Sequence, residues 1–268
     1  MPHGRVLTDP RPVVLGHRGS GTGTVGGHPE NSLPSFRAAV AAGATWVEAD
    51  VRRCADDALV VMHHPSTPEG RFVVDLTAEQ VVAGGGLLLA DLLAWLPRDI
   101  GLDVDVKTCL EDAVRPPERT TTGLLVPVLD AERARRRLIV TSFDPAALLQ
   151  VRRDLPDVPL GLLTWLYFPL RKAVPAAHHL GLDIVGAHAP SFGLNEVDSA
   201  PVHREPAHAV RVAHEAGLEV VAWCPDAARA VELAEAGVDG LVVNDVPGVR
   251  RALDAWRRGE PGAVRRTG

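Results

Sequence analysis

Two histidines, four acids and two cations fall at spacings suited to chemistry on an anion: His17, His63, Glu30, Glu48, Asp50, Asp105, Arg18 and Lys107. Glu48 and Asp50 lie two apart in an apolar run, Trp46 to Val51, that reads as a strand, so both carboxylates leave the same face. Neighbouring carboxylates repel unless a positive charge sits between them. A hard divalent cation with oxygen ligands, Mg²⁺ or Ca²⁺, is the economical answer. Asp105, on the next predicted strand, is placed to be the third ligand. His17 and His63, with ordinary pKa values near 6.5, suit general base and general acid in a displacement at phosphorus. Arg18, through its planar fork, and Lys107, as a compact charge, suit the non-bridging phosphate oxygens. Glu30 can orient Arg18 or His17 from behind, Asn31 or Ser32 can cap a helix, and Trp223 offers an apolar wall for an alcohol or glycerol portion.

Each residue also has a plainer reading. Glu48 and Asp50 could be surface acids, either histidine an ordinary structural one among eleven, Arg18 and Lys107 an ion-pair network, and Trp223 core. Lys107 gains weight from composition: of the 28 basic residues only Lys107 and Lys172 are lysine. A lysine kept inside an apparent strand calls for a chemical reason.

The elements that must hold these residues alternate. Strands are expected to start near residues 13, 46, 100, 138, 160, 184, 220 and 240, with helices between them. Between Ile100 and Lys107 the apolar residues alternate with Asp103, Asp105 and Lys107, a polar face that is costly on a central strand unless it lines a site. Eight alternating units favour a (β/α)8 TIM barrel over an open doubly wound sheet. No Gly-x-Gly-x-x-Gly follows the first strand, and the glycine-rich run at 19–27 lacks the Gly-Lys-Ser/Thr of a phosphate loop. The chain is expected to be one barrel domain over 1–268 with its core at about 13–258. An inserted excursion after strand 2, at about 53–85, exceeds an ordinary βα loop.

Composition narrows the classes further. Hydrophobic residues make up 46% and charged residues 23%, which excludes disorder, and no apolar run reaches the ~18 residues of a membrane helix. No stable membrane insertion is expected. The net charge of −6 gives no general attraction for nucleic acid. Arg257, Arg258, Arg265 and Arg266 read as a solvated tail. Cys54, Cys109 and Cys224 are too few and too scattered for a disulfide framework, so a cytoplasmic location is expected.

HRG at 17–19, PENS at 29–32, the Glu48-x-Asp50 pair, VVMH at 60–63 and DVDVK at 103–107 resemble the glycerophosphodiester phosphodiesterase family. TSF at 141–143, GLEVVAWC and AGVDGLVVNDVP extend the resemblance in the same order over about 13–254. It implies a TIM barrel, one divalent metal, and hydrolysis of a small glycerophosphodiester to sn-glycerol 3-phosphate and an alcohol. By motif position it implies acid–base roles for His17 and His63, metal ligation by Glu48, Asp50 and Asp105, and phosphate binding by Arg18 and Lys107. It also implies attack by the glycerol 2-hydroxyl through a cyclic phosphate that water opens.

Three positions depart from the family pattern. His64 stands where the family has Asp, so it either alters the tautomer of His63 or shares its task. Asp105 replaces the commoner Glu, and the loop from Ser20 to His28 is longer than in many relatives. Other readings stay open. A phospholipase D-like enzyme acting on lysophospholipids would need an apolar lip, which Trp165, Leu166, Tyr167, Phe168 and Leu170 can supply. A non-catalytic phosphodiester-binding barrel is motivated by His64. A metal-dependent amidohydrolase is weaker, because Leu15 stands where a His-x-His would begin.

Overall fold

The computed structural model describes residues 5–8, 10–193 and 202–260. His3, Arg265 and Arg266 lie outside the described residues. Eight parallel strands close on themselves: β1 Val13–Gly16, β2 Trp46–Arg53, β3 Gly101–Val106, β4 Leu138–Ser142, β5 Leu160–Leu163, β6 Ile184–His188, β7 Glu219–Trp223 and β8 Gly240–Val243. Closure comes from β1, which pairs with β8 along its whole length and with β2 through Leu15 and Gly16. Each strand is followed by a helix: α1 Leu33–Ala41, α2 Leu89–Trp95, α3 Thr121–Arg133, α4 Pro145–Asp154, α5 Leu170–His179, α6 Pro206–Glu215, α7 Ala227–Glu235 and α8 Val246–Arg257. The expected (β/α)8 TIM barrel is therefore the fold. No helix among the described residues is long and apolar enough to cross a membrane.

Period-2 alternation divides each strand between two environments. Outward residues such as Val47, Ala49, Leu102, Val104 and Val140 join the helices in one large apolar layer. Inward residues Val13, Leu15, Trp46, Ile139, Ile184, Val221 and Val242 fill the lower barrel together with Leu7. Trp46 takes the space beside Gly101, where a Cβ would lie 2.1 Å from the indole ring. Continuing upward at the same parity, the inward positions turn polar: His17 follows Leu15, Glu48 and Asp50 follow Trp46, and Thr141 follows Ile139. The change from apolar to polar marks the C-terminal mouth, where barrel chemistry is sited.

The excursion after β2 is built on an antiparallel extension of the sheet. Leu59–Val61 pairs with the end of β2, and Leu87–Leu88 pairs with Leu59–Val61 in turn. A small apolar cluster of Cys54, Val60, Val73, Leu76 and Val81 lies beneath it. Leu87 and Leu88 read as the start of a helix in the sequence; their pairing delays α2 to Leu89. Helix α3 begins at Thr121, where the Thr120 side chain caps it by accepting from Gly123 N–H. Asp245 caps α8 by accepting from Gly248 N–H, as its spacing from Pro247 suggests.

Candidate active site

A cavity of about 580 Å³ opens at the barrel mouth, lined among others by His17, Arg18, Glu48, Asp50, His63, Asp105, Lys107 and Trp223. Every residue expected to touch metal or substrate is in that lining. Glu30 and His64 are not. Strand register explains the acidic half: Glu48 pairs with Asp103 and Asp50 with Asp105 across β2 and β3, so four inward carboxylates stand in two adjacent rows. Ligand oxygens of Glu48, Asp50 and Asp105 all lie within 4.8 Å of one another.

These carboxylates are buried and only partly compensated. Lys107 Nζ pairs with Asp50 Oδ1 at 3.0 Å and with Asp105, and Arg18 Nε lies 3.3 Å from Asp50 Oδ2. Burial opposes ionisation of Asp50, but Lys107 and Arg18 bring its pKa down to about 2. Among the described residues no lysine or arginine side chain pairs with Glu48. Burial and the charges of Asp50 and Asp105 push it well above the ordinary carboxylate range. Burial likewise lifts Asp105 to about 6 despite Lys107, and Asp105 Oδ1 is buried with no hydrogen-bond partner. Asp103 is lifted by burial to about 8, although Thr141 Oγ1 donates to it at 2.7 Å.

The loop after β1 is bent sharply to bring Arg18 and Asn31 inward. Both have positive φ, 51° and 56°, a conformation that asparagine adopts readily and arginine seldom does. Gly19 between Arg18 and Ser20 cannot carry a side chain, since a Cβ would meet Ser35 Oγ at 2.5 Å. The Arg18 N–H donates to Glu48 Oε2 at 2.9 Å, while its guanidinium donates to both Glu30 oxygens at 3.0 and 3.1 Å. Of the two partners open to Glu30, Arg18 is the one it holds. Ser32, not Asn31, caps α1. Asn31 instead donates its amide N–H to Asp50 Oδ2 at 2.8 Å, a site contact that its helix-cap composition concealed.

His17 Nδ1 donates to Asn244 Oδ1 at 2.7 Å, which fixes the tautomer and leaves Nε2 on the side of Glu48, 4.0 Å from Oε2. Burial opposes the charged ring, yet contacts with Cys224 and Asn244 raise its pKa above the ordinary value. His63 is lowered to about 4 by burial, with Arg18 and Lys107 adding to the fall against the field of Asp50. Its carbonyl is clamped by Arg52, whose Nε and Nη2 donate at 3.1 and 2.7 Å. His64 packs edge-on against His63, ring centroids 4.8 Å apart; it is exposed and outside the cavity lining, with a ring nitrogen within 4.8 Å of one of His63 and of a Glu30 oxygen. Asn244, Thr22, Cys224 and Arg52 were not singled out from the sequence. The polar end of the LVVND run is the one signal that pointed toward Asn244.

The opposite side of the mouth is aromatic. Phe143 lies 4.8 Å from Trp165 and 6.1 Å from Trp223, and Trp223 is 4.4 Å from His188. Trp165 and Leu166 line the cavity yet remain 69% and 55% exposed, forming an apolar lip.

Comparison with known proteins converges on one group. The profile of the glycerophosphoryl diester phosphodiesterase family matches residues 17–247. A glycerophosphodiester phosphodiesterase of Caldanaerobacter subterraneus is 23% identical over 252 residues, covering 87% of this chain and 94% of that protein. Among solved structures, an Oleispira antarctica phosphodiesterase in complex with the product sn-glycerol-3-phosphate superposes with a TM-score of 0.74. It is 21% identical, with 91% of this chain and 97% of that one covered. A Thermotoga maritima glycerophosphodiester phosphodiesterase gives a TM-score of 0.68 at 21% identity, covering 93% and 99%. At such identities the structural likeness speaks for the fold alone.

Proposed function

This chain belongs to the glycerophosphoryl diester phosphodiesterase family, and from that premise we propose that it hydrolyses glycerophosphodiesters to sn-glycerol 3-phosphate and an alcohol. The observation that carries the reading is one cavity holding a trio of converging carboxylates, two histidines and two cations. The trio suits a hard divalent cation. Its donors are all oxygen, two of its members are pushed toward protonation by mutual repulsion and burial, and Asp105 keeps an orphaned buried oxygen. Glu48, Asp50 and Asp105 would hold Mg²⁺ or Ca²⁺, which when bound would supply positive charge to offset the negative charge on the phosphate oxygens.

The protein's own groups do the rest. Arg18 and Lys107 hold the non-bridging oxygens, and Trp223 with Phe143 walls the glycerol carbons away from water. One histidine accepts the proton of the glycerol 2-hydroxyl as that oxygen attacks phosphorus; the other gives a proton to the departing alcohol. The roles then reverse as water opens the cyclic phosphate. Asn244 keeps the His17 proton on Nδ1, so that Nε2 is the atom that exchanges protons, and Arg52 anchors His63 through its backbone carbonyl. Glu30 stiffens Arg18 from behind.

A head-group panel of choline, ethanolamine, glycerol and inositol diesters, stripped with EDTA and restored with Mg²⁺ or Ca²⁺, tests the proposal. Release of sn-glycerol 3-phosphate that stops with EDTA and returns with metal is expected; no release from any diester would overturn it and favour a binding barrel. The exposed Trp165 and Leu166 lip favours a second reading, in which the glycerol carries an acyl chain. Turnover of a lysophospholipid faster than its deacylated counterpart would establish it.

A further inference from the structure

A second cavity, of about 530 Å³, lies beside the first and shares with it a wall of Arg52, Pro65, Lys107 and Thr108. It sits between the end of β2, the turn after β3 and the excursion, and its lining is rich in donors. Arg53, 3% exposed, donates from Nε to Asp112 Oδ1 at 2.7 Å, but its Nη2 is buried without any hydrogen-bond partner. Thr121, fully buried, lies beside the same carboxylate and donates its backbone N–H to both Asp112 oxygens at 3.3 Å.

A buried arginine with a purely structural task looks different in this same protein. Arg136 donates Nε to Glu132, Nη1 to the carbonyls of Leu96 and Pro97, and Nη2 to that of Leu93, so every nitrogen is used. Leaving a guanidinium nitrogen unmet in the interior costs free energy, which an anion entering the cavity beside Arg53 would offset. Arg52 adds a second cation, which feels Asp50 and Asp105 only at a distance. Its described contacts go to the His63 carbonyl, with no carboxylate within ion-pair distance among the described residues. Glu111 is the one carboxylate in the lining, and it is exposed.

We propose that this cavity is a second anion subsite, which receives a leaving alcohol that carries its own oxyanion, a phosphate or a carboxylate. The inference rests on the hydrolase reading above and gives it a substrate class. With the scissile phosphate at Arg18 and Lys107 and the glycerol carbons against Trp223, the departing alcohol extends over Arg52 toward Arg53 and Thr121. The planar fork of Arg53, already oriented by Asp112, offers its free nitrogen to the second anion.

The test compares kcat/KM of metal-loaded protein on matched diesters: glycerophosphoglycerol against the same compound bearing a terminal phosphate, and glycerophosphoethanolamine against glycerophosphoserine. A preference of roughly tenfold or more for at least one anionic member is expected, the effect of one charge-assisted hydrogen bond. The two pairs tell phosphate from carboxylate. Arg53→Met should remove the preference while leaving the rate on glycerophosphoglycerol nearly unchanged. If that variant does not fold, Arg53→Lys, which keeps the charge but loses the planar fork, must weaken the preference. Equal rates on neutral and anionic members, or a preference that survives these substitutions, would overturn the subsite. Failure to cleave any diester would instead sink the hydrolase reading, and this inference with it.

Discussion

Both ends of this barrel bury carboxylates, and they treat them in opposite ways. At the bottom, Glu219 accepts the backbone N–H groups of Val6 and Leu7 at 2.8 and 3.0 Å. Asp239, with no exposure at all, meets His214 Nε2 at 2.7 Å, Val220 N–H at 2.8 Å, and Arg11 and Arg5 at 3.2 and 3.5 Å. The N-terminal segment thus seals the barrel floor by answering its acids. At the mouth, Glu48 and Asp105 lack cations enough, and Asp105 keeps an unmet oxygen. Burial of charge is therefore no sign of function by itself. An incomplete set of partners is the more informative feature, because buried charge left unanswered costs free energy that a bound ligand offsets.

The sharpest way to break this contrast is to neutralise one acid at each end. Glu48→Gln should cut turnover by roughly 10³-fold or more, as several kcal/mol of lost stabilisation at 1.36 kcal/mol per decade implies. The same variant should unfold no earlier than the parent without metal, since it removes a carboxylate that the fold does not need. Asp239→Ala should do the reverse. Loss of a buried, multiply bonded charge should cost about 3 kcal/mol in chemical denaturation, with kcat/KM of the folded protein unchanged. A stability loss at Glu48 together with an activity loss at Asp239 would erase the distinction.

Metal binding sharpens the comparison at lower amplitude. Mg²⁺ or Ca²⁺ at 100 times its dissociation constant should stabilise the parent by about 2.7 kcal/mol. Calorimetric unfolding scans with and without metal would show it. Glu48→Gln should respond far less and Asp239→Ala as much as the parent. An equal response in all three would mean that metal is held elsewhere.

The two ends also differed in how far the sequence revealed them. His17, Arg18, Glu48, Asp50, Asp105 and Lys107 stood out because their partners lie on neighbouring strands, and the period-2 alternation after Ile100 announced an inward polar face. Asn244 did not, because its contact with His17 spans 227 residues and exists only once the barrel closes. Asp103 was seen on the polar face but not as a member of the acidic group, which depends on the β2–β3 register. At the bottom, Glu219 and Asp239 open strands that read as ordinary. Their partners Arg5, Val6, Leu7 and Arg11 lie at the far end of the chain in sequence. Local spacing reports chemistry built within one or two units, and long-range closure hides the rest.

The smallest expected effect concerns the acid at the floor. Burial raises the pKa of Glu219 above its ordinary value; the Val6 and Leu7 N–H groups oppose the shift and the charge of Asp239 adds to it. Above the ordinary carboxylate value near 4.5, the folded protein therefore binds more protons at this site than the unfolded chain does. The contribution of Glu219 to stability is then fully present below that value and declines as pH rises, until the folded pKa is passed. Glu219→Gln removes the titration, so the difference in unfolding free energy between parent and variant should drift against the parent as pH climbs from 4.5 and then level off. Denaturant titrations at half-unit pH steps would measure the drift. A difference that instead moves in favour of the parent would mean that the two backbone N–H groups outweigh burial and hold Glu219 ionised, which would make the floor a still more complete answer to its charges.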